Sequence, residues 1–246
     1  MASYLTQVAV GDFEMTSEPG PNGITIRNAF ASALADQAAP HFTRTPEMLQ
    51  FFGETFGPYP FDIYGALVVN ERTQFELETQ TLSLFDSSFV ESDASSDVIV
   101  AHELAHQWFG DSVSLSQWKD VWLNEGFATY AEWLWAEHAD GSSAATIATE
   151  VHDQLAAEVL TGDPGADHLF DYQSVYLRGA LTLHALRSTV GDDAFFTILK
   201  TYTEKFANKN VTTADFVAVA EDVSKQPLDS FFDEWLYRAP LPALPS

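Results

Sequence analysis

The stretch HELAHQWFG, residues 102–110, sets two histidines four apart, with a glutamate directly after the first and mostly apolar residues around them. Just upstream, SSDVIVA offers capping groups at Ser95, Ser96 or Asp97 and then apolar residues at helical spacing, so the whole segment reads as a helix. Helical residues i and i+4 share one face about 6 Å apart along the axis, so His102 and His106 aim their rings at a common point. Glu103, one position further round, falls beside that point, where a carboxylate takes a proton from metal-bound water. A chance match to this pattern in a chain of this composition has a probability of about one in a hundred. Core histidines on an apolar helix therefore remain a competing account until further ligands are found.

Composition narrows the search for those ligands. The 246 residues include no cysteine, so disulfides and thiolate ligands are excluded, and a transition-metal site must draw on seven histidines and the acids. Eleven basic against 36 acidic residues give a formal charge of −25, which repels phosphate backbones and anionic headgroups. Nucleic acid and membrane surfaces are thus not expected as partners; the charge reads as a strongly solvated surface. No run approaches the length of a membrane span, and MASYLTQVAVGDFE lacks the basic-then-apolar layout of a signal peptide. A cytoplasmic setting is the resulting expectation.

Strand signals come first and helix signals afterward. YLTQVAV (4–10) and ITIRNAF (24–30) read as strands around the turn-rich SEPGPNG, and PEMLQFFGETF (46–56) as a helix ended by Gly57. IYGALVVN (63–70) and QFELETQTLSLF (74–85) read as strands of a small sheet. From Ser95 the pattern is helical throughout, with further helices predicted over 120–139, 144–160, 174–190, 192–206, 212–224 and 227–237. Strands followed by helices make an α+β domain.

A catalytic zinc takes three protein ligands and leaves a position for water, and two histidines with a glutamate are one standard set. Glu125 follows His106 after eighteen intervening residues, in WLNEGFATY on the next predicted helix, where an antiparallel return carries it back over the histidines. With His102, Glu103 and His106, the segment NEGFATY makes the chain resemble the gluzincin zinc peptidases of the aminopeptidase N and leukotriene-A hydrolase family. The likeness runs from GPYPFDIYGALVV to DEWLYRAPLP, which looks like the end of that family's thermolysin-like catalytic domain.

The resemblance implies one zinc per chain, held by His102, His106 and Glu125, with Glu103 as general base. It also implies that Tyr176, in a Tyr-x-Arg-Gly context similar to the family's Tyr-x-Lys-Gly, donates to the oxyanion. Glu78 in FELETQT stands where the family's Gly-x-Met-Glu-Asn strand binds the substrate α-amine, although Phe75, Leu77 and Thr79 replace the glycine, methionine and asparagine. Glu76 shares the parity of Glu78 and faces the same side. Asn124, Asp111 and Glu132 are open alternatives for orienting the metal ligands. The tryptophans at 108, 118, 122, 133 and 135 read as packing, and the remaining histidines as surface or satisfied core residues.

The implied activity is a zinc aminopeptidase acting on peptides with a free N-terminus. An epoxide hydrolase, a chemistry one member of this family performs, and a non-catalytic binding domain are the rival readings. By the same resemblance, residues 1–30 are expected to be a remnant of an upstream β-rich domain that also shapes the substrate site, and residues 31–246 the catalytic domain.

Overall fold

A computed structural model describes residues 2–91, 96–155 and 160–245 of the chain. Strands β1 (Phe13–Pro19) and β2 (Thr25–Ala31) pair antiparallel, with Phe13 opposite Ala31 and Pro19 opposite Thr25. A short helix α1 (Ala35–Ala38) leads into α2 (Thr45–Phe56), which carries Pro46 in its first turn, where the missing N–H costs nothing, and stops at Gly57. β3 (Ile63–Tyr64) and β4 (Ala66–Val68) then run parallel to β2, and β5 (Ser83–Phe85) parallel to β4, giving the order β1-β2-β4-β5 with β3 also against β2. All three residues of β4 are buried, as a strand covered on both faces requires.

Among the described residues, the regular structure of the rest of the chain is helical apart from one small parallel pair, β6 (Val113–Leu115) with β7 (Lys209–Val211). Its helices are α3 (Ser96–Ala105), α4 (Trp122–Ala139), α5 (Ala144–Gln154), α6 (Arg178–Val190), α7 (Asp192–Lys205), α8 (Thr213–Ser224) and α9 (Asp229–Tyr237). The architecture is α+β. α4 is its axis, buried along most of its length and packed between α3 and α6. It meets α6 backbone to backbone: a Cβ on Gly126 would lie 2.8 Å from the Cα of Gly179, and one on Gly179 2.9 Å from the Cα of Gly126. Two glycines at this crossing bring Glu125, next to the first, close to the segment that carries Tyr176, just before the second.

Aromatic rings lock the back of α3. Phe52 stacks on Phe56 at 5.0 Å, Phe56 meets Phe109 at 5.0 Å, Phe109 meets Phe127 at 4.6 Å and Phe127 meets Phe216 at 5.0 Å, joining α2, the end of the histidine segment, α4 and α8. Burying each such ring contributes about 1.5–3 kcal/mol. The Trp108 indole N–H donates to the Gly57 carbonyl at 2.9 Å, so the residue that ends α2 is tied to the histidine segment.

Several elements differ from expectation. Residues 4–10 are not a strand: Ser3–Leu5 form a 3-10 turn, and Val8 and Val10 are 89% and 94% exposed. The strand lies instead at Phe13–Pro19, across part of the segment read as a turn. It is an edge strand held by main-chain pairing to β2 and almost wholly exposed, so no apolar alternation marks it. Of residues 74–85 only Ser83–Phe85 form a regular strand, while Leu77 adds an isolated antiparallel bridge to Leu84. The helix predicted over 144–160 ends at Gln154 among the described residues, and 156–159 lie outside them. Of the three proposed caps for α3, Ser95 also lies outside them. The start of the predicted 174–190 helix is wound as a π-helix, Tyr172–Leu177. Trp118 is 46% exposed and lies outside the core that holds Trp108, Trp122, Trp133 and Trp135. Among the described residues, no helix is long and apolar enough to cross a membrane.

Candidate metal centre and active-site cleft

His102 stands in the last turn of α3 and His106 directly after its end, one turn on with its N–H on the His102 carbonyl, and α4 returns Glu125 over them. His102 Nε2 and His106 Nε2 lie 3.1 Å apart, and Glu125 Oε2 is 3.5 Å from the first and 3.3 Å from the second. The edge of a tetrahedron whose centre-to-ligand distance is the ordinary 2.0–2.1 Å of zinc–nitrogen and zinc–oxygen bonds is about 3.3 Å. The three atoms thus form one face of a tetrahedral site.

The other ring nitrogens are engaged. His102 Nδ1 is 2.6 Å from Glu132 Oε1, and His106 Nδ1 is 3.0 Å from the Phe109 carbonyl oxygen. Both partners accept, so each Nδ1 carries the hydrogen and each Nε2 turns a lone pair inward. Two such lone pairs and a carboxylate oxygen converging within 3.5 Å repel one another unless positive charge stands between them. The same demand appears in the titration of these groups. Burial works against protonation of both rings, yet hydrogen bonds to Glu125 and Glu132 leave the His102 pKa well above its ordinary value. His106 is raised to about 9 because the charges of Glu125 and Glu78 outweigh its burial. Burial would raise the Glu125 carboxyl, but the charge of His106 and the hydrogen bonds that both imidazoles donate once protonated hold it low. A divalent cation would supply this charge, and the donor set fits one.

Of the three residues left open for orienting the ligands, Glu132 is the one hydrogen-bonded to a histidine. Asp111 and Asn124 are buried nearby with carboxylate and carboxamide oxygens that have no hydrogen-bond partner. Burial, with Glu78 nearby, raises the Asp111 carboxyl to about 8. The Phe109 carbonyl was missed, since a main-chain acceptor leaves no mark in a sequence.

Glu103 is 6% exposed, and its Oε2 is buried without a hydrogen-bond partner. Burial raises its carboxyl to about 8 against the opposing pull of His102 and His106. Tyr176 sits in the π-helical turn, its ring nearly parallel to that of His102 at 6.1 Å. Burial and the charges of Glu125, Glu103 and Glu78 push its phenol well above the ordinary value, so it is a neutral donor. π-helical turns cluster at functional sites because the extra residue re-aims a side chain.

These groups open into a cleft of about 730 Å³. Glu76 and Glu78, either side of the Leu77 bridge, form its opposite wall with Phe75, and Phe170 and Tyr172 its rim. Five glutamates line the cleft and, among the described residues, no lysine or arginine does. Glu78 is 6% exposed, accepts a hydrogen bond from the Tyr4 hydroxyl at 3.1 Å, and has its carbonyl held by the Gln107 amide at 3.2 Å. The cleft therefore favours a ligand that brings cationic charge.

Residues 41–235 match the Peptidase family M1 domain. The chain is 32% identical over 271 residues to aminopeptidase N of Streptomyces lividans, covering 97% of this chain and 31% of that protein. It is 29% identical over 266 residues to aminopeptidase M1-D of Oryza sativa subsp. japonica, covering 99% of this chain and 30% of that one. Among solved structures, an M1 zinc metallopeptidase from Deinococcus radiodurans superposes with a TM-score of 0.84 at 34% identity, over 96% of this chain and 54% of that one. A variant of that enzyme bound to a Tyr-Ser-Ala substrate gives the same score. The chain spans about a third of the length of the curated relatives it matches and about half that of the solved structures. The match over 41–235 and the shared α+β fold place this chain in peptidase family M1.

Proposed function

We propose that this chain is the catalytic unit of a zinc-dependent aminopeptidase. The observation that carries the reading is the triangle of His102 Nε2, His106 Nε2 and Glu125 Oε2, with the unpartnered carboxylate oxygen of Glu103 on the same helix. When bound there, zinc lowers the pKa of a coordinated water and polarises the scissile carbonyl. Glu103 accepts the proton of the attacking water and hands it to the departing amine, a task suited to a carboxylate whose burial raises its pKa. Tyr176 donates its hydroxyl hydrogen to the carbonyl oxygen as negative charge develops. Glu78 accepts from the substrate α-ammonium, so the first peptide bond is the one presented. In this reading residues 31–246 form the catalytic unit, and residues 1–30, whose β2 pairs with β3 and β4 of that unit, link it to an upstream β-rich portion. The greater length of the relatives supports a contribution to the substrate site from chain beyond these residues.

The test has a metal arm and a substrate arm. Protein purified without added zinc should hold close to one equivalent, and His106→Ala should hold none; an unchanged metal content in that variant sinks the ligand set. The zinc form should cleave aminoacyl arylamides with a free amine and spare their N-acetylated forms. Equal cleavage of both would leave a different zinc hydrolase as the better account.

A further inference from the structure

Resting on the aminopeptidase reading, we propose that Tyr4 is a substrate-binding residue of the amine subsite, its hydroxyl forming with the Glu78 carboxylate a two-point receptor for the α-ammonium. The cleft is lined by five glutamates and, among the described residues, by no lysine or arginine. Three of these, Glu103, Glu125 and Glu132, belong to the metal side. Glu78 stands apart from them, and the side chain hydrogen-bonded to it is Tyr4, with its oxygen 3.1 Å from Oε1. A phenol that gives its one hydrogen to a carboxylate turns its oxygen lone pairs elsewhere. An ammonium brings three N–H donors, so one group seated beside both residues satisfies the carboxylate charge and the phenol lone pair together.

The position of Tyr4 is fixed by its neighbours. Leu5 is 2% exposed and anchors the 3-10 turn, and the Gln7 amide donates to the Leu82 carbonyl just before β5. The Tyr4 ring lies against Trp118 at 5.3 Å, and Trp118 meets Phe170 edge-on at 6.1 Å. This packing accounts for an indole that is half exposed in a chain whose other motif tryptophans are buried. The ring face adds attraction for a nearby cation. Burial and the charge of Glu78 hold the phenol well above its ordinary pKa, so it remains a hydrogen donor wherever the carboxylate is ionised.

The opposing account makes Tyr4 a plug that fills the amine seat until substrate displaces it. The two differ in sign, because removing a plug tightens binding and removing a receptor group weakens it. Zinc-loaded protein is titrated calorimetrically with leucine hydroxamate and with 4-methylpentanohydroxamic acid, which share the metal-binding group and differ by the amine alone. The wild type should prefer the amine-bearing probe. Tyr4→Phe, which keeps the ring, should weaken that probe by about tenfold and leave the des-amino probe unchanged. Glu78→Gln should abolish the preference. If Tyr4→Phe binds the amine probe as tightly as the wild type or more tightly, while Glu78→Gln loses the preference, the Tyr4 assignment is overturned and the amine-anchor role of Glu78 stands. If the wild type binds both probes equally, the amine subsite and Tyr4's place in it fall together. If it binds neither, the zinc reading falls with them.

Discussion

On one side of the cleft, His102, Glu103 and Glu125 stand on the packed helices α3 and α4, and His106 directly follows the end of α3. On the other, Tyr4, Phe75, Glu76 and Glu78 stand on short irregular segments tied down by one bridge, one 3-10 turn and a few side-chain hydrogen bonds. The helical side is rigid because each candidate ligand belongs to a hydrogen-bonded element packed into the aromatic core, and α4 meets α6 with no room for a methyl group at Gly126. The opposite wall is partly exposed, with Phe75, Phe170 and Tyr172 between 51% and 61% accessible at its rim. In the proposed function, chemistry would sit on the most tightly packed elements, and contact with variable substrate groups would fall to those that can change without disturbing the core.

The largest expected effect of a change that leaves the metal in place is at Glu103. Glu103→Gln preserves shape but cannot take a proton, so kcat should fall by about 10²–10⁴-fold while zinc stays near one equivalent. Steady-state kinetics alongside metal analysis checks this. A variant that kept a tenth of the wild-type kcat would move the base elsewhere and remove the functional distinction drawn for this helix.

This contrast also explains what was legible in the sequence. A helix writes its geometry locally: the spacing of His102 and His106, and the return of Glu125 on the next helix, are intervals along the chain. Glu132 left the same kind of signal, being seven residues, or two turns, beyond Glu125 on α4, and that interval favours it over Asp111 and Asn124. The Phe109 carbonyl and the π-turn at Tyr172–Leu177 left none, because main-chain acceptors and local underwinding depend on how segments pack. The first strand was misplaced for the complementary reason. Val8 and Val10 carry the β-branched signal yet are exposed, whereas β1 is held by its partner strand. Tyr4 was invisible, since nothing in the interval from residue 4 to residue 78 marks the contact between them.

Glu132 offers an intermediate test, because it fixes the ring of His102 without belonging to the candidate ligand set. Glu132→Ala removes the acceptor 2.6 Å from Nδ1, leaving the imidazole free to rotate and to change tautomer. Zinc affinity should fall by about 10–100-fold, measured by competition with a chromophoric chelator. Unchanged affinity would mean that packing of α3 alone orients His102.

The smallest expected effect lies on the rim. Phe170 is 58% exposed and has Trp118, itself 46% exposed, as its aromatic neighbour. Phe170→Ala therefore gives up little area that folding had removed from water, and surface changes of this kind alter stability by no more than about 0.5 kcal/mol. For a chain of this length that corresponds to a shift in Tm of about 2 °C or less, readable by thermal unfolding followed by circular dichroism. The zinc content should be unchanged, since no atom of Phe170 supports a candidate ligand. Any loss should appear in KM for substrates with large apolar side chains, which would rest against the ring. A fall in Tm of several degrees would show that Phe170 and Trp118 belong to the load of the fold, and the division between a rigid metal side and a replaceable substrate wall would have to be redrawn through the rim.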